Sequence, residues 1–440
     1  MHNFFQLQKY GSTVKTEIIA GCATFLATMY IIVVNPGILS DQTGMTFSGV
    51  LTATILVSAF SSIMMGLYAN NPIVLAPGMG INVFFTYSVV LGMNVPWQTA
   101  LGAVFWSGII FLLLSVFNVR VIILKAIPKQ LRYAVAAGIG LLISVLGLFN
   151  AKFIVANPAT VVGPGPLNSI TLTFLAGLLV TSILVAKGFK GALIAGITLT
   201  TLLAIPIGRW WGDATALFNT PTLVTWNGFF AAPDFSLLLQ VDLLHSLALS
   251  LWPVIFAFLF TDLFDSLSTF IGVAEAADLT DADGEPRNVK QSLIVDAFST
   301  TISGLLGTSS GTSYIESAAG IEEGGRTGLT AIVAGLLFLP FLFLSPLLSV
   351  IPKIATAPAL VLVGVFMMKP VTKINWHQFD DAIPAFLSMI IIPLSSSITL
   401  GIVWGFLSWT VIKLAKGKFN ELSPVLLVID VFAILALLLR

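Results

Sequence analysis

Charge is what this chain has least of. Asp, Glu, Lys and Arg make up 9% of its 440 residues, against about a quarter in soluble globular domains. Acidic and basic residues balance at 20 each, for a formal net charge of zero. No excess of either sign points to an acidic or basic partner, and no basic stretch interleaved with aromatics favours nucleic acid. Cysteine is almost missing. A lone Cys22 rules out an internal disulfide, and its apolar surroundings read as those of a packed thiol. There is no P-loop, no His-Glu-x-x-His and no Cys/His cluster, so no cofactor, no metal and no enzyme are expected. The opening "MHNFFQLQKYGSTVKTE" has no compact apolar run before a small-residue cleavage site. A cleaved signal peptide is therefore not expected, and the first apolar segment would serve for insertion.

What the chain has in abundance is apolar sequence, 57% of residues. A membrane span takes about 20 apolar residues, fewer when broken. Segments near 16–37, 47–69, 71–90, 97–117, 130–149, 168–186 and 190–207 qualify, followed by a polar connection, 208–243. Further segments lie near 245–273, 291–306, 308–321, 328–349, 356–368, 381–396 and 397–415, making fourteen spans, numbered here in chain order. A last apolar stretch, 423–439, is left unassigned. With a cytoplasmic N-terminus, the loops on the inner side collect nearly all the lysines and arginines, among them Lys187, Lys190, Lys369, Lys373, Lys413, Lys416 and Lys418. Lys152, Arg209 and Lys353 fall outside, as the positive-inside rule expects. "IPKQLRYAVAAGIGLLI" at span 5 and "IPKIATAPALVLVGVFM" at span 12 occupy the same ordinal place in each half. Two sevens, the second inserted upside down, make an inverted repeat: residues 1–207 and 244–440, joined outside the membrane by 208–243.

Such repeats bind solute where short, Gly/Pro-interrupted spans meet at the midplane. Span 3 reads "NNPIVLAPGMGINVFFTY", and span 10 reads "LGTSSGTSYIESAAGIEEGGRTGLT". Both are third in their halves and both are poor helices. Non-helical backbone at membrane depth must be buried in protein or line a cavity. Gly78, Met79 and Gly80 are expected to form a short strand facing Thr308, Ser309 and Ser310, with free N–H and C=O groups for a flat ligand. Phe84, Phe85, Phe260 and Tyr314 are candidates for a stacking face.

Span 8 ends in "TDLFDSLSTFIGV", with Asp262 and Asp265 one helical turn apart. A carboxylate at a span centre costs roughly 2.5–3.5 kcal/mol on insertion scales and marks a pathway, a relay or a pair. Glu316 follows the broken part of span 10, and Asp296 lies in span 9. No Lys, Arg or His sits inside spans 8–10. The acids therefore bind protons, bind a cation or accept from a donor-rich ligand. One of the span 8 pair should brace backbone, and the hydroxyls after Asp265 make it the expected one. Asp296 reads as structural. Arg326 reads as a solvated helix-end charge.

At these residues a resemblance becomes specific. "NPIVLAPGMGINVFF", "LFDSLSTFIGV", "GTSSGTSYIESAAGIEEGGRTGLT" and the opening "TEIIAGCATFLATMYIIVVNPGIL" resemble the signature segments of AzgA-like purine permeases, within the nucleobase:cation symporters of the xanthine/uracil permease superfamily. The similarity spans about residues 10–435. It implies an all-α polytopic membrane protein of two inverted seven-span repeats, with short antiparallel strands in spans 3 and 10. It implies a core domain, about 16–117 and 245–349, and a gate domain, about 130–207 and 356–440. It implies proton-linked uptake of a purine nucleobase across the cell (inner) membrane, with a homodimer through the gate domain allowed. The substrate carboxylates fall on Asp262 and Glu316, the third-span asparagine on Asn82, and the second eighth-span acid on Asp265. Glu316 and Asp265 carry the proton coupling. Uracil transporters of the superfamily have a histidine one turn after the first acid. Ser266 here argues for the purine branch.

Hydrogen-bonding chemistry then speaks to the purine. Guanine offers adjacent N1–H and N2–H donors to a carboxylate and hypoxanthine offers N1–H, whereas adenine presents an acceptor at N1. Asp262 therefore favours hypoxanthine and guanine. Rival readings are an adenine-preferring permease and an inverted-repeat carrier of another solute or anion. An aspartyl intramembrane protease would need Gly-x-Gly-Asp and Tyr-Asp spans, and neither is present.

Overall fold

The computed structural model describes residues 2–117, 128–157, 160–218, 220–226, 228–277, 279, 287–424 and the isolated positions 426, 427, 430, 431 and 434. Most of the unassigned stretch 423–439 lies outside them. Each of the fourteen expected spans has a counterpart. Eight are helices long and apolar enough to cross a membrane, and the helices Met79–Gly92, Ala192–Ala204 and Gly328–Phe343 are shorter.

Local signals set the helix ends. Thr13, Thr46 and Ser397 accept the backbone N–H of Thr16, Gly49 and Leu400 at the starts of spans 1, 2 and 14. Asn168 and Thr171 form a reciprocal capping box at span 6. Span 9 stops at Gly307, whose φ of +94° suits only a residue without a Cβ. Span 1 is broken between Val14–Thr28 and Ile31–Leu39, with Pro36 inside the second piece.

The spans pack in two groups. Span 11 lies on spans 1 and 2, span 9 on spans 4 and 2, and span 8 on span 4. Spans 12 and 13 lie on span 5, span 13 on span 14, and span 7 on spans 6 and 12. Small residues permit the close crossings: a Cβ on Gly66 would fall 2.3 Å from the Gly328 carbonyl, and one on Gly140 2.8 Å from that of Gly364. The groups touch where span 1 meets spans 7 and 12, span 3 meets span 5, and span 8 meets span 14.

The connection 208–243 divides between them. Its first part packs Ala214 and Val224 with Phe174, Ala151 and Ile354 of the second group. From Ala231 on it is tied to the first group, through Ala231 N–H to the Phe343 carbonyl (3.0 Å), Leu239 N–H to Leu305 (2.8 Å) and Asp242 N–H to Gln98 (3.0 Å). Asp234 accepts the hydroxyls of Ser48 and Thr46 at 2.6 and 3.0 Å.

Cys22 is exposed on span 1 rather than packed. Its neighbours Gly21 and Ala23 turn inward instead, and in a membrane the outer face is the apolar one. Arg326 is not a free solvated charge. Its Nη1 donates to the Ile321 and Gly325 carbonyls at 2.7 and 2.8 Å, closing the end of span 10, and buried Glu17 accepts its backbone N–H at 3.0 Å.

One buried lysine organises the end of the second group. Lys413, with 1% side-chain exposure, donates to Asp380, Asp381 and Glu421 at 2.8, 2.6 and 2.6 Å, which uses all three ammonium hydrogens. Lys416 and Lys418 also reach Asp380. Lys413→Met is expected to destabilise the protein by about 3 kcal/mol, the low end for a broken buried pair because those two lysines remain. A fluorescence melting curve in detergent checks this, and an unchanged midpoint would refute it.

Candidate functional site

The two interrupted spans meet as an antiparallel pair, β1 (Leu75–Pro77) with β2 (Gly311–Ser313), in the register Leu75↔Ser313, Ala76↔Thr312, Pro77↔Gly311. The pairing exists as expected, but it sits three residues earlier in span 3 and three later in span 10. Gly78 only extends it, donating its N–H to the Ser310 carbonyl at 3.0 Å, and Met79 and Gly80 begin the helix Met79–Val83. Thr308 and Ser309 precede β2.

Side chains complete the backbone hydrogen bonding at this depth, as an environment without water requires. Ser317 Oγ accepts Val74 N–H and Ser62 Oγ accepts Leu75 N–H, both at 3.0 Å, and Ser303 Oγ accepts Gly311 N–H at 3.1 Å. Tyr314 donates its hydroxyl to the Pro77 carbonyl at 2.6 Å.

Three polar groups surround the crossing. In the first, Asp262 is 1% exposed. Its Oδ2 is bonded to the Thr300 hydroxyl, which also lies 3.0 Å from the Gly311 carbonyl; its Oδ1 has no hydrogen-bond partner among the described residues, with the Thr312 hydroxyl close to the carboxylate. Beside it, Asp296 accepts hydroxyls from Ser266 and Ser313, and Ser266 Oγ is 2.8 Å from Thr312 Oγ1. In the second group, Tyr30 donates to Glu316 Oε1 at 2.7 Å. Asp265 lies close enough for its charge to interact with that of Glu316. Both acids are half-buried, and Asp265 has no side-chain hydrogen bond among the described residues. The third group joins Asn35, whose amide donates to Thr54 and Thr308 at 2.7 and 2.8 Å, with Asn82, whose Oδ1 accepts the Ser309 hydroxyl while its Nδ2 has no partner.

The bracing role expected of Asp265 thus belongs to Asp262. Residues three apart on a helix point about 60° apart, and that rotation aims Asp262 at span 9 and leaves Asp265 facing Glu316. Asp296 braces Ser266 and Ser313, as its position in span 9 suggested. Tyr30, Asn35 and Thr300 were not legible as members. An amide one residue before Pro36 in an otherwise apolar run was the available signal for Asn35.

Gly78 and Gly80 have different neighbours. A Cβ on Gly78 would fall 2.6 Å from Thr312 Cγ2, and one on Gly80 would fall 2.4 Å from Cγ2 of Ile139 in span 5. Gly80 is therefore a close approach between the two helix groups. Among the aromatics, Phe84 and Phe85 are fully buried against Phe258. Phe256, Phe260 and Phe264 stack along span 8 with centroids 6.1 Å apart at each step.

Residues 15–404 match the Permease family of xanthine/uracil type. The chain is 43% identical to the adenine permease AdeP of Escherichia coli, covering 99% of this chain and 95% of the relative. It is 40% identical to the guanine/hypoxanthine permease PbuO of Bacillus subtilis, covering 98% of each, and 41% identical to PbuG of the same organism, covering 97% of each. In fold it resembles the transmembrane domain of the cyanobacterial bicarbonate transporter BicA, with a TM-score of 0.65 at 17% identity over 89% of this chain and 96% of the other. It also resembles SLC26A9, at 0.63 and 11% over 93% and 66%. At those identities the likeness concerns the fold alone. The chain belongs to the Permease family of xanthine/uracil type and is a multi-pass membrane protein, a transporter rather than an enzyme.

Proposed function

We propose that this permease takes up hypoxanthine and guanine together with protons, through alternating access of a site between spans 3, 8 and 10. The observation that carries the reading is Asp262, a buried carboxylate beside the strand pair with one oxygen held by Thr300 and the other unpartnered. An oxygen fixed in this way is a ready acceptor for purine N1–H. Asn82 Nδ2, also unpartnered, complements it as a donor toward a purine carbonyl. Asp265 and Glu316 are the coupling carboxylates, with Tyr30 holding Glu316. The first helix group acts as the core, the second as the gate, and any homodimer forms through the gate. The N-terminus is cytoplasmic and the membrane is the cell (inner) membrane. Phe260 and Phe264 lie about 160° around span 8 from Asp262, which sets their stack apart from a purine held by that carboxylate.

A second reading, adenine, has an observation of its own. The Thr300 hydroxyl has one hydrogen and two acceptors, Asp262 Oδ2 and the Gly311 carbonyl. An Asp262 in its acid form has one O–H: with the proton on Oδ2 it completes both of those bonds, and with the proton on Oδ1 it donates to a purine acceptor instead. Competition of labelled hypoxanthine uptake by unlabelled adenine, guanine, xanthine and uracil decides between them. Hypoxanthine and guanine should compete best, and adenine winning would establish the second reading.

Gly80→Ala tests the glycine segment. With Ile139 in the way, the substitution should disturb the contact between the groups and leave purine affinity per folded molecule within about twofold, because a Cβ there meets a side chain of span 5 rather than the strand pair. Binding normalised to folded protein by fluorescence size-exclusion is the measurement, and a large affinity loss at normal expression would place Gly80 against the purine.

A further inference from the structure

At the end of the protein that carries residues 208–243, the two helix groups are joined by a compact polar contact. Lys353, the first residue of span 12, places Nζ 2.5 Å from Asp41 Oδ1, just beyond span 1. Tyr87 of span 3 donates its hydroxyl to the other oxygen, Asp41 Oδ2, at 3.0 Å. The aspartate side chain is 11% exposed with both of its oxygens engaged, while the lysine side chain is 45% exposed. Alongside, the buried Ser88 of span 3 donates its hydroxyl to the carbonyl of Ser396. Ser396 sits at the turn between spans 13 and 14 with a positive φ of 51°, a conformation uncommon for a residue with a Cβ. Deeper on the same side, Gly80 admits Ile139.

The opposite end is held differently. There Lys190, before span 7, pairs with Glu323, after span 10, and both side chains are about a third exposed. An exposed pair of that kind contributes little net stability and is screened by salt. The two ends thus carry unequal ties: a largely buried aspartate held by both a lysine and a tyrosine on one side, and a pair with both partners about a third exposed on the other.

We propose that Asp41, Lys353 and Tyr87 form a latch that closes the outer side of the permease and biases its resting state toward closure there. This rests on the reading of the two helix groups as core and gate. The contact joins one residue of the gate to two of the core, so separation of the groups at that end must break it. Neither the aspartate nor the lysine is bonded to a residue of the strand pair among the described residues.

The lone, exposed Cys22 makes a cysteine-free background simple, Cys22→Ser. In it, Thr356→Cys places a reporter one turn inside Lys353, at a position 8% exposed. A membrane-impermeant maleimide is applied to the full-length protein in right-side-out and inside-out vesicles. Lys353→Gln should speed labelling from the outer face roughly fivefold, the population change that one partly buried ion pair can command. Tyr87→Phe should speed it less. The exchanged pair Asp41→Lys with Lys353→Asp should return the rate toward that of the parent. Unchanged outer labelling in both Lys353→Gln and Tyr87→Phe overturns the latch, as does an exchanged pair that labels as fast as Lys353→Gln. If Lys353→Gln does not fold by size-exclusion, Tyr87→Phe decides alone. Hypoxanthine binding to the same vesicles separates the two levels of the argument. Unaltered labelling with purine binding intact defeats the latch only, whereas faster labelling in a protein that binds no purine supports the latch and defeats the substrate assignment.

Discussion

Asp262→Asn should lower hypoxanthine affinity by about ten- to a hundred-fold and adenine affinity by less. A hydrogen bond to a charged acceptor contributes roughly 1.5–3 kcal/mol, which is that range in a dissociation constant. The structure sharpens the expectation. Oδ2 is already committed to Thr300, so the unpartnered Oδ1 is the atom available to the ligand. An asparagine would keep one oxygen but must place its NH2 toward either Thr300 or the purine. Toward the purine it meets the N1–H of hypoxanthine donor to donor, yet it suits the N1 acceptor of adenine. Equilibrium binding of both bases to the purified variant reads the difference. Equal losses for the two would defeat the donor–acceptor argument for Asp262.

Glu316→Gln should abolish accumulation of substrate against its gradient while leaving binding or exchange. Glutamine keeps the size and can still accept from Tyr30, which reaches Oε1 at 2.7 Å, so the local packing survives. What it removes is the ability to take up and release a proton beside Asp265, the half-buried acid whose charge interacts with Glu316. In proteoliposomes the parent should concentrate hypoxanthine under an inward proton gradient and lose that capacity with an uncoupler. The Gln variant should show counterflow only. Concentrative uptake by the variant would remove Glu316 from the coupling role.

Much of this architecture was legible because the membrane leaves few alternatives. Spans are long apolar runs, and backbone breaks at matched places in two halves can only be interior. The register of the strand pair was not legible. Pro72, Pro77, Gly78 and Gly80 announce that the helix is broken, but the partners that satisfy the freed backbone are hydroxyls of Ser62, Ser303 and Ser317, remote in the chain and unremarkable in themselves. Which of Asp262 and Asp265 is held by a neighbouring hydroxyl was not legible for a similar reason. Spacing places them on one face, and only the rotation of span 8 against span 9 decides which acid meets Thr300. Cys22 failed likewise, because in an apolar run the inward and outward faces have the same composition. Tyr30 and Asn35 lay in a segment that carried the family resemblance, yet nothing nearby in sequence names Glu316 or Thr308 as their partners.

The divided attachment of the outer connection has a mechanical consequence. Val224 is packed into the second helix group and Ala231 is hydrogen-bonded to the first, so seven chain steps are all that links the two anchors. At about 3.3–3.6 Å per residue those steps extend to at most about 25 Å. The connection is thus a tether of fixed reach: it leaves the groups free to slide within that distance and stops them beyond it. Shortening it by deleting residues between Trp226 and Phe230 would narrow the range over which the groups can separate at that end, whereas lengthening it with glycine and serine would leave that range to the short connection between spans 11 and 12 and to packing.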